Sequence, residues 1–272
     1  MNPQVVWQVW RSIMRETDLQ HALFDEGGAN LERFGLVGEA REAALAYSRE
    51  ADRAKWFVLN YRYRLANSFL NALETGAPLV LRSLLAKGFD LRVLGEEFLN
   101  LRGWKDYGPY VHTYCGDALQ FLAAHKATEA PKGFRQLIGL ERTVVEMLIG
   151  LASRPGPSAA TAMLRHTSMA RHFQSDVRLS AWMRDKKQLG KTELLDGTEH
   201  YLVYLPDLDS AHKFALLPQR AAELYQALAQ PCTCEQLPQA LERMGCAPSS
   251  AQDDEYLNVL AGYRAIDVPV KA

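Results

Sequence analysis

Only four cysteines occur in the 272 residues, and no apolar stretch approaches the ~20 residues that span a bilayer. The opening segment, MNPQVVWQVWRSIMRE, lacks the basic, apolar and small-residue regions of a secretory signal. Its Val5, Val6, Val9, Ile13 and tryptophans suit an amphipathic helix lying on a larger body. Cytoplasmic residence without membrane association is the expectation. A net charge of -1 excludes a chain-wide attraction to nucleic acid or anionic lipid and leaves room for local basic patches. Cys232, Cys234 and Cys246 cluster far from Cys115 in a spacing that matches no zinc site, so they read as reduced, structural thiols.

Signatures of catalysis are missing too. Seven histidines form neither His-x-x-x-His nor a carboxylate-paired Glu-x-x-His. His166 and His172, six apart, read as solvated, and Glu96 and Glu97 as a solvent face. No phosphate-binding glycine loop and no Gly-x-Ser-x-Gly setting occurs. An enzyme needs tuned groups held together. The expectation is therefore a chain with no catalytic residues, metal or cofactor of its own.

What is present is helix, then a change of character. Residues 1–152 read as a helical bundle. RAKWFVLNYRYRLANSFLNALETG places Trp56, Leu59, Asn60, Tyr63, Asn67 and Leu70 at steps of three and four. Gly76 and Pro78 interrupt that helix, PLVLRSLLAKG forms another closed by Gly88, and Asp90 caps LRVLGEEFLNL. YVHTYCGDALQFLAAH and FRQLIGLERTVVEMLIGLA follow, the latter with Leu137, Leu140, Val144 and Leu148 on one face. SRPGPSAA at 153–160 marks a connector running to 175, with a partly helical crossing through TAMLRHTSMARHF.

From 176 to 272 short strand-rich runs appear: VRLSAWM, KTELLD, YLVYLP and KFALL, with Asp196-Gly197 as a turn signal. Three helices follow. Ala221, Leu224, Tyr225 and Leu228 face one way, Thr233 and Gln236 make a capping box, and Tyr256, Val259, Leu260 and Tyr263 align on the last helix. The fold class is mainly α with a smaller α+β part: an N-terminal helical bundle and a C-terminal winged-helix-like domain.

This order of strands and helices over 176–270 resembles the PqqD-type recognition elements that bind leader segments of ribosomally made peptides, with Gln230-Pro231 where that family often has Asp-Gly. The motifs YRYRLANSFLNALETGAPLVLRSLLAKGFDLRVLGEEFLNL, YCGDALQFLAAH and LIGLERTVVEM resemble the helical domain of partner subunits of multinuclear non-haem iron-dependent oxidative enzymes. In that family an aromatic often precedes the proline, where this chain has Thr75-Gly76-Ala77. The combination implies an accessory subunit with two partners, a TIM-barrel-type iron enzyme and a precursor or carrier peptide. Iron belongs to the enzyme. The nearest sub-type is the pathway that adds cysteine to a carrier peptide and excises its β-carbon towards 3-thiaglutamate.

Under this reading Lys213, Phe214, Ala215 and Leu216 form a sheet edge that pairs with an extended peptide. The last helix walls the groove with Tyr256, Leu257, Leu260 and Tyr263. Arg62, Tyr63 and Asn67, with Trp104, Tyr107 and Tyr110 as exposed loop aromatics, are the candidates for the enzyme interface. Two alternatives compete: a winged-helix DNA-binding regulator, and a free-standing enzyme. Asp253, Asp254 and Glu255 in the first turn of the last helix suit its dipole and would repel phosphate, which disfavours DNA.

Overall fold

A computed structural model describes residues 1–126, 132–153 and 163–268. The chain divides into two compact units, Met1–Asn71 with Asp90–Pro109, and Ala72–Phe89 with Tyr110–Ala272. It is mainly helical, with a three-stranded and a two-stranded sheet in the second unit. No described helix is long and apolar enough to cross a membrane.

The first unit contains α1 (Pro3–Arg15), α2 (Thr17–Phe24), a 3-10 turn at Leu31–Phe34, α3 (Gly38–Arg49), most of α4 (Ala51–Gly76) and α6 (Leu91–Leu101). Asn2 caps α1 by accepting the Gln4 N–H, and Pro3 sits where a helix needs no N–H. Val9 and Ile13 are buried with Leu19, Leu23, Leu31, Ala43 and Val58, as the pattern of the opening segment requires. Asp90 caps α6 through the N–H groups of Arg92 and Val93.

In the second unit, α5 (Pro78–Ala86), α7 (Val111–Ala124) and α8 (Lys132–Ala152) lead to the sheets. Glu141 on α8 is buried and accepts the N–H groups of Leu79 and Val80 at 2.8 and 2.7 Å, so one carboxylate caps the start of α5 from another helix. Burial pushes its pKa up to about 8, against the pull of those two N–H groups. Gly76 lies where any Cβ would stand 2.7 Å from Cys115 Sγ.

The three-stranded sheet has the antiparallel order β2 (Ala170–Val177), β3 (Asp196–Tyr204), β4 (Lys213–Leu217). β1 (Arg165–His166) pairs with β5 (Ile266–Asp267). Then come α10 (Gln219–Ala227), α11 (Leu237–Arg243) and α12 (Asp253–Gly262). Leu202 and Leu217 join Leu224, Leu241, Leu257 and Leu260 in the core under these helices. Arg220 ties α10 to α12: its guanidinium donates to both oxygens of Asp253 at 2.9 and 2.6 Å, and to the carbonyls of Ala247 and Pro248. Asp253 also accepts the Ser250 N–H and hydroxyl, which fixes the turn that leads into α12.

Several sequence readings change. The boundary expected at 152 does not coincide with the division into units, because α5, α7 and α8 belong with the sheets. α8 packs on β2, where Gly139 lets the Phe173 ring approach to 2.8 Å of its would-be Cβ. Within TAMLRHTSMARHF, the crossing expected to be partly helical, the described residues carry β1 and the start of β2. The expected break SRPGPSAA lies, apart from Ser153, outside the described residues. VRLSAWM, read as a strand, turns into α9 (Ser180–Arg184), KTELLD precedes β3 as irregular chain, and Asp196-Gly197 opens β3 opposite a bulge at Ser175/Val177.

Candidate peptide groove and partner surface

β4 forms an edge of the three-stranded sheet, and its outer side pairs with no other strand among the described residues. Side chains alternate along it. Ala215 and Leu217 pack into the core under α10–α12. Phe214 and Leu216 point to the opposite face. On that face one cross-strand row runs from Phe173 to Tyr201 to Leu216. α8 covers its Phe173 end, Tyr201 is buried, and Leu216 is 54% exposed.

A groove of about 710 Å³ opens there. Tyr201, Phe214 and Leu216 line its sheet side, Ser180, Met183 and Arg184 come from α9, and Lys186 from the chain just after it. The paired strand ends Tyr204 and Lys213 complete it. α9 is held in place by Glu199, whose carboxylate accepts the Ser180 N–H at 2.9 Å and the Tyr201 hydroxyl. Trp182, buried beneath, donates from Nε1 to the Thr192 carbonyl at 3.1 Å.

The wall of this groove is α9, not α12. Leu257 and Leu260 are buried in the core against α10 and are not available to a ligand, because α12 turns its apolar face inward. Tyr256 and Tyr263 are half-buried against the same core, with the Tyr263 ring 4.7 Å from Tyr204. Ser180, Met183, Arg184, Lys186, Tyr201 and Tyr204 were missed by the sequence reading. The spacing of Ser180, Met183 and Arg184, three and then one apart, is a helical-turn signal inside a run that β-formers made look like strand.

The sheet's other face carries a polar chain in place of solvated histidines. His172 Nε2 stands 3.1 Å from His200 Nδ1, His200 Nε2 stands 2.6 Å from Gln219 Oε1, and Gln226 donates to His172 Nδ1 at 3.4 Å. A proton on each Nε2 satisfies every contact with both rings neutral. Burial, then His200 and His166, lower His172 to about 4. His166 stacks on Tyr225 at 3.9 Å. Among the described residues no group of three or more His, Cys, Asp or Glu is placed to hold a metal ion.

In the first unit the stripe read from α4 faces solvent. Trp56 is 61% exposed and Tyr63 54%, with Leu59, Asn60, Asn67 and Leu70 also exposed. The buried face is Ala54, Val58, Leu65, Ala66 and Phe69. Arg62, half-buried, lies over the Trp104 ring at 3.8 Å. Trp104 and Tyr107 are themselves buried, contrary to their reading as exposed loop aromatics. Trp104 has φ +52 after Gly103 at +60, and this left-handed turn folds the indole back so that Nε1 donates to Asn100 at 2.8 Å. Tyr110 remains exposed. No protein-family model and no curated protein matches the chain.

Proposed function

We propose that this chain is a non-catalytic subunit that captures an extended precursor or carrier peptide and presents it to an iron-dependent oxidative enzyme that modifies a peptide cysteine. The observation that carries the reading is β4, a sheet edge without a strand partner among the described residues, beside an open groove with a part-apolar lining. Such an edge offers alternate N–H and C=O groups to an added strand, and the groove takes alternate side chains. The sheet with α10–α12 is read as a winged-helix-like recognition element whose ligand lies on the α9 side. Enzyme contact is assigned to the first unit, where the exposed Trp56, Leu59, Tyr63 and Leu70 give one helix an apolar face in water. Arg62 and Trp104 support that face from beneath. Tethering the peptide raises its effective concentration at the enzyme's metal centre, and iron with its oxidative chemistry belongs to that enzyme. The excision of a cysteine β-carbon is the particular reaction to which the resemblance leads.

The test is reconstitution. A TIM-barrel-sized protein and a short peptide are expected to be encoded beside the chain; the chain is co-purified with them, and the isolated chain is analysed for metal. A ternary complex with iron in the large protein alone is expected. Stoichiometric iron or zinc in the isolated chain, or salt-sensitive sub-micromolar binding to duplex DNA, overturns the reading.

A further inference from the structure

The groove's lining is lopsided in charge. Arg184 and Lys186 contribute two cations from the α9 side, and no carboxylate lines it; Lys213 borders it at the strand end, with its side chain by register on the face of Ala215 and Tyr204. Among the described residues none of the three forms an ion pair, and Arg184 donates only to Ser180 of its own helix. The carboxylate nearest in the chain's pairing, Glu199, is engaged by Ser180 and Tyr201. Asp185 is turned to the Lys187 N–H. His212, next to Lys213, is held below its ordinary value by burial and by His112, so it adds no positive charge near neutrality. A cationic patch on a chain of net charge -1 is local, not a reflection of composition.

Resting on the peptide-binding reading, the geometry points to an acidic ligand: β4 adds an extended peptide segment whose groove-facing side chains, every second residue, combine apolar groups with carboxylates. The apolar side chains meet Phe214 and Leu216, and a carboxylate two residues along, on the same face, meets Arg184 and Lys186 on the α9 side. A single-stranded nucleic acid fits less well. Tyr201 is buried and cannot stack on a base, and a strand edge has hydrogen bonds to offer a peptide backbone. Pairing of β4 with a second copy is opposed by Lys213, since a charged residue on an edge disfavours strand addition by like chains.

Three labelled synthetic peptides with the same apolar residues, and with Glu, Ser or Lys at the next positions on the same face, are titrated with the full chain by fluorescence anisotropy. An oligouridine is titrated in parallel. The Glu peptide is expected to bind about fivefold more tightly than the Ser peptide at physiological salt, as two exposed charge contacts allow. The Lys peptide is expected to be weakest. Arg184→Glu and Lys186→Glu, each checked for fold by circular dichroism, should reverse the preference between Glu and Lys peptides. Equal affinity for Glu and Ser peptides in a protein that binds both removes the charge selection and leaves peptide capture standing. Binding of no peptide removes both. Tighter binding of the oligouridine, or a dimer by sedimentation that a proline in β4 abolishes, overturns the acidic-peptide assignment.

Discussion

Two side chains hold the second unit together in ways that single substitutions expose. Arg220 satisfies a buried carboxylate and two carbonyls at once, so Arg220→Ala leaves Asp253 without its counter-ion and α12 without its anchor on α10. The expected cost is about 3 kcal/mol, read from urea unfolding. His172 acts through pH. Its pKa falls from 6.5 to about 4 on folding, so the unfolded chain binds the extra proton between those values. Stability from this group is complete above pH 6.5 and is lost as pH falls through 4, by roughly 3 kcal/mol in all. Glu141, raised to about 8, slopes the other way between 4.5 and 8. The difference between wild type and His172→Gln isolates the histidine, and a flatter stability profile in the variant below pH 6.5 is expected. His166 and His200 neighbour the ring and remain in both proteins.

At the scale of elements, the groove exists because α8 covers the sheet at β2 and not at β4. Gly139 sets that contact, and a side chain there meets the Phe173 ring at 2.8 Å. Gly139→Leu is expected to destabilise the fold by about 1–3 kcal/mol in thermal or urea unfolding and to weaken peptide binding, since Phe173 lies in one row with Tyr201 and Leu216. Local signals made much of this readable beforehand. Asp90, Gly88 and Pro78 sit where caps and breaks belong, and KFALL coincides with β4. α9 was not readable, because its start is fixed by Glu199, nineteen residues away, and by the burial of Trp182. The α4 stripe was found by periodicity, but periodicity alone does not say which face is inward. There Ala54, Val58, Leu65, Ala66 and Phe69 pack, while Trp56, Phe57 and Tyr63 stay outside. Leu257 and Leu260 were placed in the ligand's wall for the same reason: apolar spacing marks a face without naming what it touches.

For the whole molecule, the proposed function gives the two units separate tasks. Trp56→Ala combined with Tyr63→Ala changes exposed side chains only, so thermal stability should stay within about 0.5 kcal/mol of wild type. Association with the enzyme should fall by more than ~10-fold, as loss of aromatic anchors does, while peptide affinity stays unchanged. The central claim is that peptide capture occurs by strand addition on β4. Only alternate N–H groups of an edge strand face an incoming chain, and proline deletes one N–H at a time. The decisive measurement is therefore peptide affinity in proteins carrying a single proline at Lys213, Phe214, Ala215 or Leu216, each first shown to fold by circular dichroism. Loss of affinity at alternate positions is the result this account predicts; undiminished affinity in every folded variant would contradict it.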